Sequence, residues 1–112
     1  MGYIAMAENF WDKVKEKAYL KHEYNESHNL LDDNIKNWDE AFVEEAINEK
    51  IAEEAYYNYL HGYNDPIQNW IHAKKDIHDR ISFLAYYLHE SNINKSPEEN
   101  WCTAEKIYAE NF

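Results

Sequence analysis

The chain has 112 residues, with 11 Lys or Arg against 22 Asp or Glu, a formal net charge of −11 and a mean hydropathy of −0.89. That length gives one small domain, 1–112; 45% apolar and 16% aromatic residues suffice for a core, and only two Gly and two Pro exclude the many tight turns of a β-sandwich or barrel. The acidic balance excludes direct nucleic-acid or anionic-membrane binding, the lone Cys102 excludes an internal disulfide, and no stretch reaches transmembrane length, so a cytoplasmic protein is expected.

Four helices are predicted. Residues 8–26 place Phe10, Trp11, Val14 and Ala18 on one side. Asn34 or Asp33 caps a second helix, 34–61, which Gly62 stops. Its first half puts Ile35, Trp38, Phe42 and Ala46 on one stripe with Glu40 and Glu44 opposite, and its second half turns the stripe to Ile51, Ala52, Ala55 and Tyr59. Asp65-Pro66 opens the third, 66–91, whose broad apolar face runs through Ile67, Trp70, Ile71, Ile77, Ile81, Leu84 and Leu88. Phe83, Tyr86 and Tyr87 on its other side predict a C-terminal half buried all round. Ser96-Pro97 with Glu99 forms a capping box for the fourth, 97–111. Short connections make neighbours antiparallel, so the fold class is an all-α, antiparallel four-helix array.

A pattern recurs three times: an aliphatic residue, Ala-Tyr four residues on, a turn, then Asn-Trp-x-x-Ala. The copies read Val14, Ala18-Tyr19, Asn37-Trp38, Ala41; Ile51, Ala55-Tyr56-Tyr57, Asn69-Trp70, Ala73; and Ile81, Ala85-Tyr86-Tyr87, Asn100-Trp101, Ala104. Each is a helical hairpin, and consecutive hairpins share a helix. The Trp and Ala-Tyr positions are read as core, indoles docking against small Ala. This pattern resembles a family of short bacterial helical hairpins of unknown function that read aliphatic-x3-Ala-Tyr, a Gly-containing turn, then Asp-Trp-x-x-Ala-Glu. The resemblance is closest over Ile51 to Ile77, which keeps Gly62, and over Ile81 to Ile107; Asn replaces the usual Asp before each Trp. It implies a hairpin fold and no particular activity.

Two surfaces are candidates for function. If the first and last helices are short, the end of the hairpin around Gly62 holds only two helices, leaving Tyr56, Tyr59, Leu60, Tyr63, Ile67 and Trp70 on a thinly covered tip, and Tyr and Trp are favoured interface anchors. The second is acidic: the window from Asp32 to Glu54 nets −7, and Glu40, Glu44, Glu45 and Glu49 form rows that could imitate a phosphate backbone before a basic partner. The commoner explanation is a solvated face partly neutralised by Lys13, Lys15, Lys17 and Lys21. His72, Asp76 and Asp79 have the spacing to converge on a cation, but with no second helix supplying ligands, surface hydrogen bonding with Arg80 is the ordinary account. His78 is read as a core histidine and Cys102 as a packed structural cysteine. The sequence therefore reads as a non-enzymatic protein-interaction or adaptor module without cofactor or metal, whose partner is a protein or a second copy of itself; a nucleic-acid mimic is the alternative and a metal protein the third reading.

Overall fold

Aspartate and serine side chains open three of the four helices, as their neighbouring prolines and apolar runs require. The Asp33 carboxylate accepts the backbone amides of Ile35 and Lys36 at 3.0 and 3.2 Å, and Asp65 accepts those of Ile67 and Gln68 at 3.0 and 3.3 Å. Ser96 Oγ accepts the Glu99 amide at 3.2 Å and donates to the Glu99 carboxylate. A computed structural model describes residues 2–91 and 95–111, with side chains from residue 9 on. It contains α1 (Gly2–Ser27), α2 (Asn34–Leu60), α3 (Pro66–Ser91) and α4 (Pro97–Asn111), and no strand among the described residues. The fold is all-α, and among the described residues no helix is long and apolar enough to cross a membrane. The first helix starts six residues before the expected position, because the segment before Glu8 holds good helix formers and no proline.

Both helix stops on the way into the second and third helices use a left-handed residue. Asn29 (φ 54°) ends α1 with bonds from Leu30 N to Asn25 O (2.8 Å) and Asn29 N to Glu26 O (3.2 Å). Gly62 (φ 97°) ends α2 in the same way, through Tyr63 N to Asn58 O and Gly62 N to Tyr59 O. A histidine precedes each: His28 and His61 donate from Nδ1 to the carbonyls of Tyr24 and Tyr57, at 2.8 and 2.7 Å, satisfying last-turn acceptors.

The chain divides into two compact units, Met1–Ala46 and Ile47–Phe112, with the boundary inside α2. In the first unit α1 and the opening half of α2 run antiparallel, as a descending ladder of lysines meets an ascending one of glutamates: Lys21 with Glu40 and Glu44, Lys17 with Glu44 and Glu45, Lys13 with Glu45. Its interior is Val14, Asn37, Ala41, Glu45 and Ala46. The expected stripe is thus turned by about one residue, and Ile35 is 83% exposed. Short side chains at Asn37 and Ala41 let the helices approach along that line, which outweighs the apolar area Ile35 would bury.

In the second unit Ile51, Ala73, Ile77, Ile81, Ala104 and Tyr108 make the core, flanked by Ile47, Ala55, Leu84, Ala85, Leu88 and Trp101. Two expectations fail here. The C-terminal half of α3 is not buried all round, since Phe83, Tyr86 and Tyr87 are exposed, and Ile71 of the expected apolar face is exposed as well.

The three copies of the sequence pattern bury the same residues. Val14, Ile51 and Ile81 are inside, as are Asn37, Asn69 and Asn100, and Ala41, Ala73 and Ala104 are fully buried. A fourth position, eight residues past each Asn, is also buried: Glu45, Ile77 and Tyr108. The tyrosines of the Ala-Tyr pairs, Trp38 and Trp70 do not join them, contrary to the reading of these positions as core, whereas Trp101 is partly buried against the core. Each Trp follows a buried Asn and is turned from it by ~100° around the helix, so Trp38 and Trp70 lie half-exposed beside the inward line and Trp101 packs on the ring of His78 at 4.8 Å.

Candidate functional site

The end of the α2–α3 hairpin is built by local chemistry. Gly62 turns the chain, Asp65 caps α3, and the buried Asn69 amide donates to the Tyr63 carbonyl at 2.6 Å, fastening the turn to the first coil of α3. On this frame stand the predicted tip residues. Tyr56, Tyr59, Leu60 and Tyr63 are 54–66% exposed, Ile67 71% and Trp70 41%. The rings of Tyr56 and Tyr59 lie nearly parallel with centroids 6.5 Å apart. Tyrosine and tryptophan keep few rotamers to lose on contact, so such a surface can form an interface at small entropic cost.

The glutamates singled out in the sequence do not make one solvated row. Glu45 is buried, with Lys13 and Lys17 at 3.9 and 3.5 Å from its carboxylate. Glu44 accepts from Lys21 at 2.8 Å, and Glu40 lies between Lys21 (3.7 Å) and Lys36 (3.8 Å). The Glu44 hydrogen bond holds the Lys21 ammonium above its ordinary value. Glu49 is half-buried. The face opposite the expected apolar stripe is in fact the flank that meets α1, which is why its charges are matched by lysines; Lys15 takes no part in the ion pairs described here.

His72, Asp76 and Asp79 are exposed, and among the described residues no three His, Cys, Asp or Glu side chains gather to hold a metal. Asp79 is engaged by Lys75 at 2.8 Å, which lowers its carboxyl and raises the lysine. Arg80 does not join that face. It donates to Glu54 at 2.6 Å and to the Tyr108 hydroxyl at 3.2 Å, beside an open, mostly apolar groove of about 720 Å³ lined by Asp79, Arg80, Phe83, Leu84 and Tyr108. His78 is exposed against Trp101 rather than in the core, and Cys102, in the second turn of α4, is an exposed free thiol rather than a packed one.

Sequence reasoning missed a polar cluster in the first unit. Asp32, in the α1–α2 connection, meets His22 Nδ1 at 2.5 Å through one oxygen and accepts from Asn37 (2.7 Å) and Asn25 (3.4 Å) through the other. The hydrogen bond to Asp32 raises His22 above its ordinary value, helped by the Asp32, Glu26 and Glu23 charges and opposed by desolvation. The same bond, with that from Asn37, holds the Asp32 carboxyl below its usual range. Nearby an open groove of about 420 Å³ runs between Leu20, Tyr24 and the Lys17, Lys21, Glu40 and Glu44 ion pairs. The recurrent buried Asn was the one signal that could have pointed to this cluster, since a buried amide demands partners.

No protein-family model, curated protein or solved structure matches this chain.

Proposed function

We propose that the protein is a non-enzymatic interaction module of hairpin repeats that engages a protein partner through exposed aromatic side chains. The observation that carries this reading is recurrence on the surface: Tyr19, Tyr56 and Tyr86 hold the same position in the three copies of the pattern and are 60, 61 and 61% exposed. Packing explains why an interior residue recurs, but it gives no reason for a large ring to recur in solvent, whereas recognition does. The module needs no cofactor, and its exposed free Cys102 suits a reducing compartment such as the cytoplasm. Site-specific photocrosslinkers in place of Tyr59 and Tyr63, with one in place of exposed Glu98 as control, test the reading in the native source. Protein adducts from the first two and not the third are expected; none from either sinks it.

An acidic nucleic-acid mimic on Glu40, Glu44, Glu45 and Glu49 is the second reading, resting on the charge of −11. The lysines already opposite three of these carboxylates count against it, because neutralised anions attract a basic groove weakly. A metal protein on His72, Asp76 and Asp79 is a third, and the Lys75 ion pair on Asp79 competes with it.

A further inference from the structure

We infer that the end of the α2–α3 hairpin binds a second copy of this chain. The inference rests on the interaction reading above and adds the identity of the partner. Charge decides it. The chain carries 33 formally charged side chains in 112 residues, yet the 19 residues between Glu54 and Lys74 contain one, Asp65. Its carboxylate is already engaged in capping α3 through the amides of Ile67 and Gln68. Two molecules of charge −11 repel each other, and the longest stretch of the chain so poor in charge offers a face on which they can meet without opposing carboxylates. A partner selected by opposite charge would instead be drawn to the acidic remainder of the chain.

The area suffices. Six large apolar or aromatic side chains, Tyr56, Tyr59, Leu60, Tyr63, Ile67 and Trp70, stand open there. Roughly half of each side chain's ~150–250 Å² remains uncovered, on the order of 450–750 Å² in all, which reaches the lower end of what one partner contributes to a standard interface. A two-fold contact lets the same patch serve on both molecules, so the surface needs to be complementary only to itself.

Sedimentation equilibrium over about 1–500 µM protein, at ~50 and ~500 mM salt, measures the association. A dimer is expected that tightens several-fold with salt, as repulsion between the acidic remainders is screened. Tyr59→Glu and, separately, Ile67→Glu put a carboxylate on exposed positions of the patch and should each weaken it at least tenfold with helicity unchanged by circular dichroism, while Phe83→Glu, also exposed but outside the patch, leaves it unaltered. If one of the first two fails to fold, the other decides. A monomer throughout, a dimer that loosens with salt, or a dimer indifferent to both substitutions overturns the inference. A monomer whose Tyr59 and Tyr63 photocrosslinkers capture a different protein overturns the dimer and leaves the interaction module standing. A monomer that captures nothing ends both.

Discussion

Glu45 and Ile77 are counterparts: each lies eight residues past the Asn of an Asn-Trp pair, and each is buried, 4 and 2% exposed. One position thus carries a carboxylate in the first unit and an isobutyl-sized hydrocarbon in the second. The lysines facing Glu45 keep much of their own access to water, with side-chain exposures of 56 and 33%, so they can be rehydrated when the carboxylate is removed. Glu45→Ile is therefore expected to stabilise the protein by about 1 kcal/mol, since a buried ion pair is often replaced by hydrocarbon at no loss. Glu45→Ala, which also leaves a void, should cost about 1–2 kcal/mol. Urea denaturation of both variants checks this; a loss on Glu45→Ile would show that the lysine contacts outweigh the desolvation they relieve.

Asn69 acts through its donor. Its amide nitrogen gives a 2.6 Å bond to the Tyr63 carbonyl, and a carboxylate of the same shape has nothing to give there. Asn69→Asp should destabilise by about 2–3 kcal/mol near neutral pH and recover part of this at low pH, where the acid regains a proton to donate. Denaturant titrations at two pH values, with Asn69→Ala as reference, decide it.

The His22–Asp32 contact predicts a stability window in pH. His22 is raised from 6.5, so its contribution is complete below that value and fades as pH rises through the folded-state value above it. Asp32 is lowered from 3.8, so its contribution is present above 3.8 and is lost as pH falls through the lower folded-state value. The stability difference between the protein and its His22→Gln variant should peak at about pH 4–6.5 and shrink on both sides. Paired thermal melts across pH measure it; a flat difference would mean the contact does not persist in solution.

Reversing Glu40 and Glu44 to lysine will disturb the first unit, although sequence spacing alone places both on a free helix face. Each new ammonium would stand beside Lys21, and that at position 44 beside Lys17 also. Exposed pairs are each worth about 0.2–1 kcal/mol, and turning attraction into repulsion at two sites should cost about 1–2 kcal/mol, less at high salt. Chemical denaturation at low and high salt reads the cost directly.

Gly62 and Asn29 make a matched pair of tests. A Cβ at position 62 would meet open space, so the cost of Gly62→Ala comes from φ 97° alone and should be about 1 kcal/mol. Asn29 tolerates φ 54° less well than glycine does, and Asn29→Gly should be neutral or stabilise by up to about 0.5 kcal/mol. Thermal denaturation should show a lower melting temperature for Gly62→Ala and an equal or higher one for Asn29→Gly.

The boundaries of the second, third and fourth helices were legible because caps are short-range chemistry, while the start of α1, which has no such signal, lies six residues before the expected position. Asp33, Asp65, Ser96 and Gly62 each act on amides or carbonyls a few residues away, and the sequence displays those residues directly. Which side of each helix faces inward was less legible. A hydrophobic stripe selects Ile35, Ile67 and Ile71, whereas the interior is drawn along Asn37, Ala41, Asn69 and Ala73, where slender side chains allow close approach. Recurrence of Asn and Ala in all three copies carried that information, and hydrophobicity did not. The tip residues identified in the sequence are exposed, for a local reason: the turn at Gly62 and the cap at Asp65 bring them together within a short stretch of chain. The His22–Asp32 contact was not read from the sequence, because beyond the recurrent Asn it depends on the left-handed Asn29 returning the chain toward the last turns of α1.

Ala41, Ala73 and Ala104 have a consequence for how this protein can change. Where helices touch through methyl groups, the side chains that hold the fold together and those that face outward belong to separate sets. A tyrosine on the outside can be exchanged for almost any other residue without a compensating change within, and exchanges at distant places should add. Such a scaffold can acquire a new partner by altering its exterior one residue at a time, each intermediate still folding.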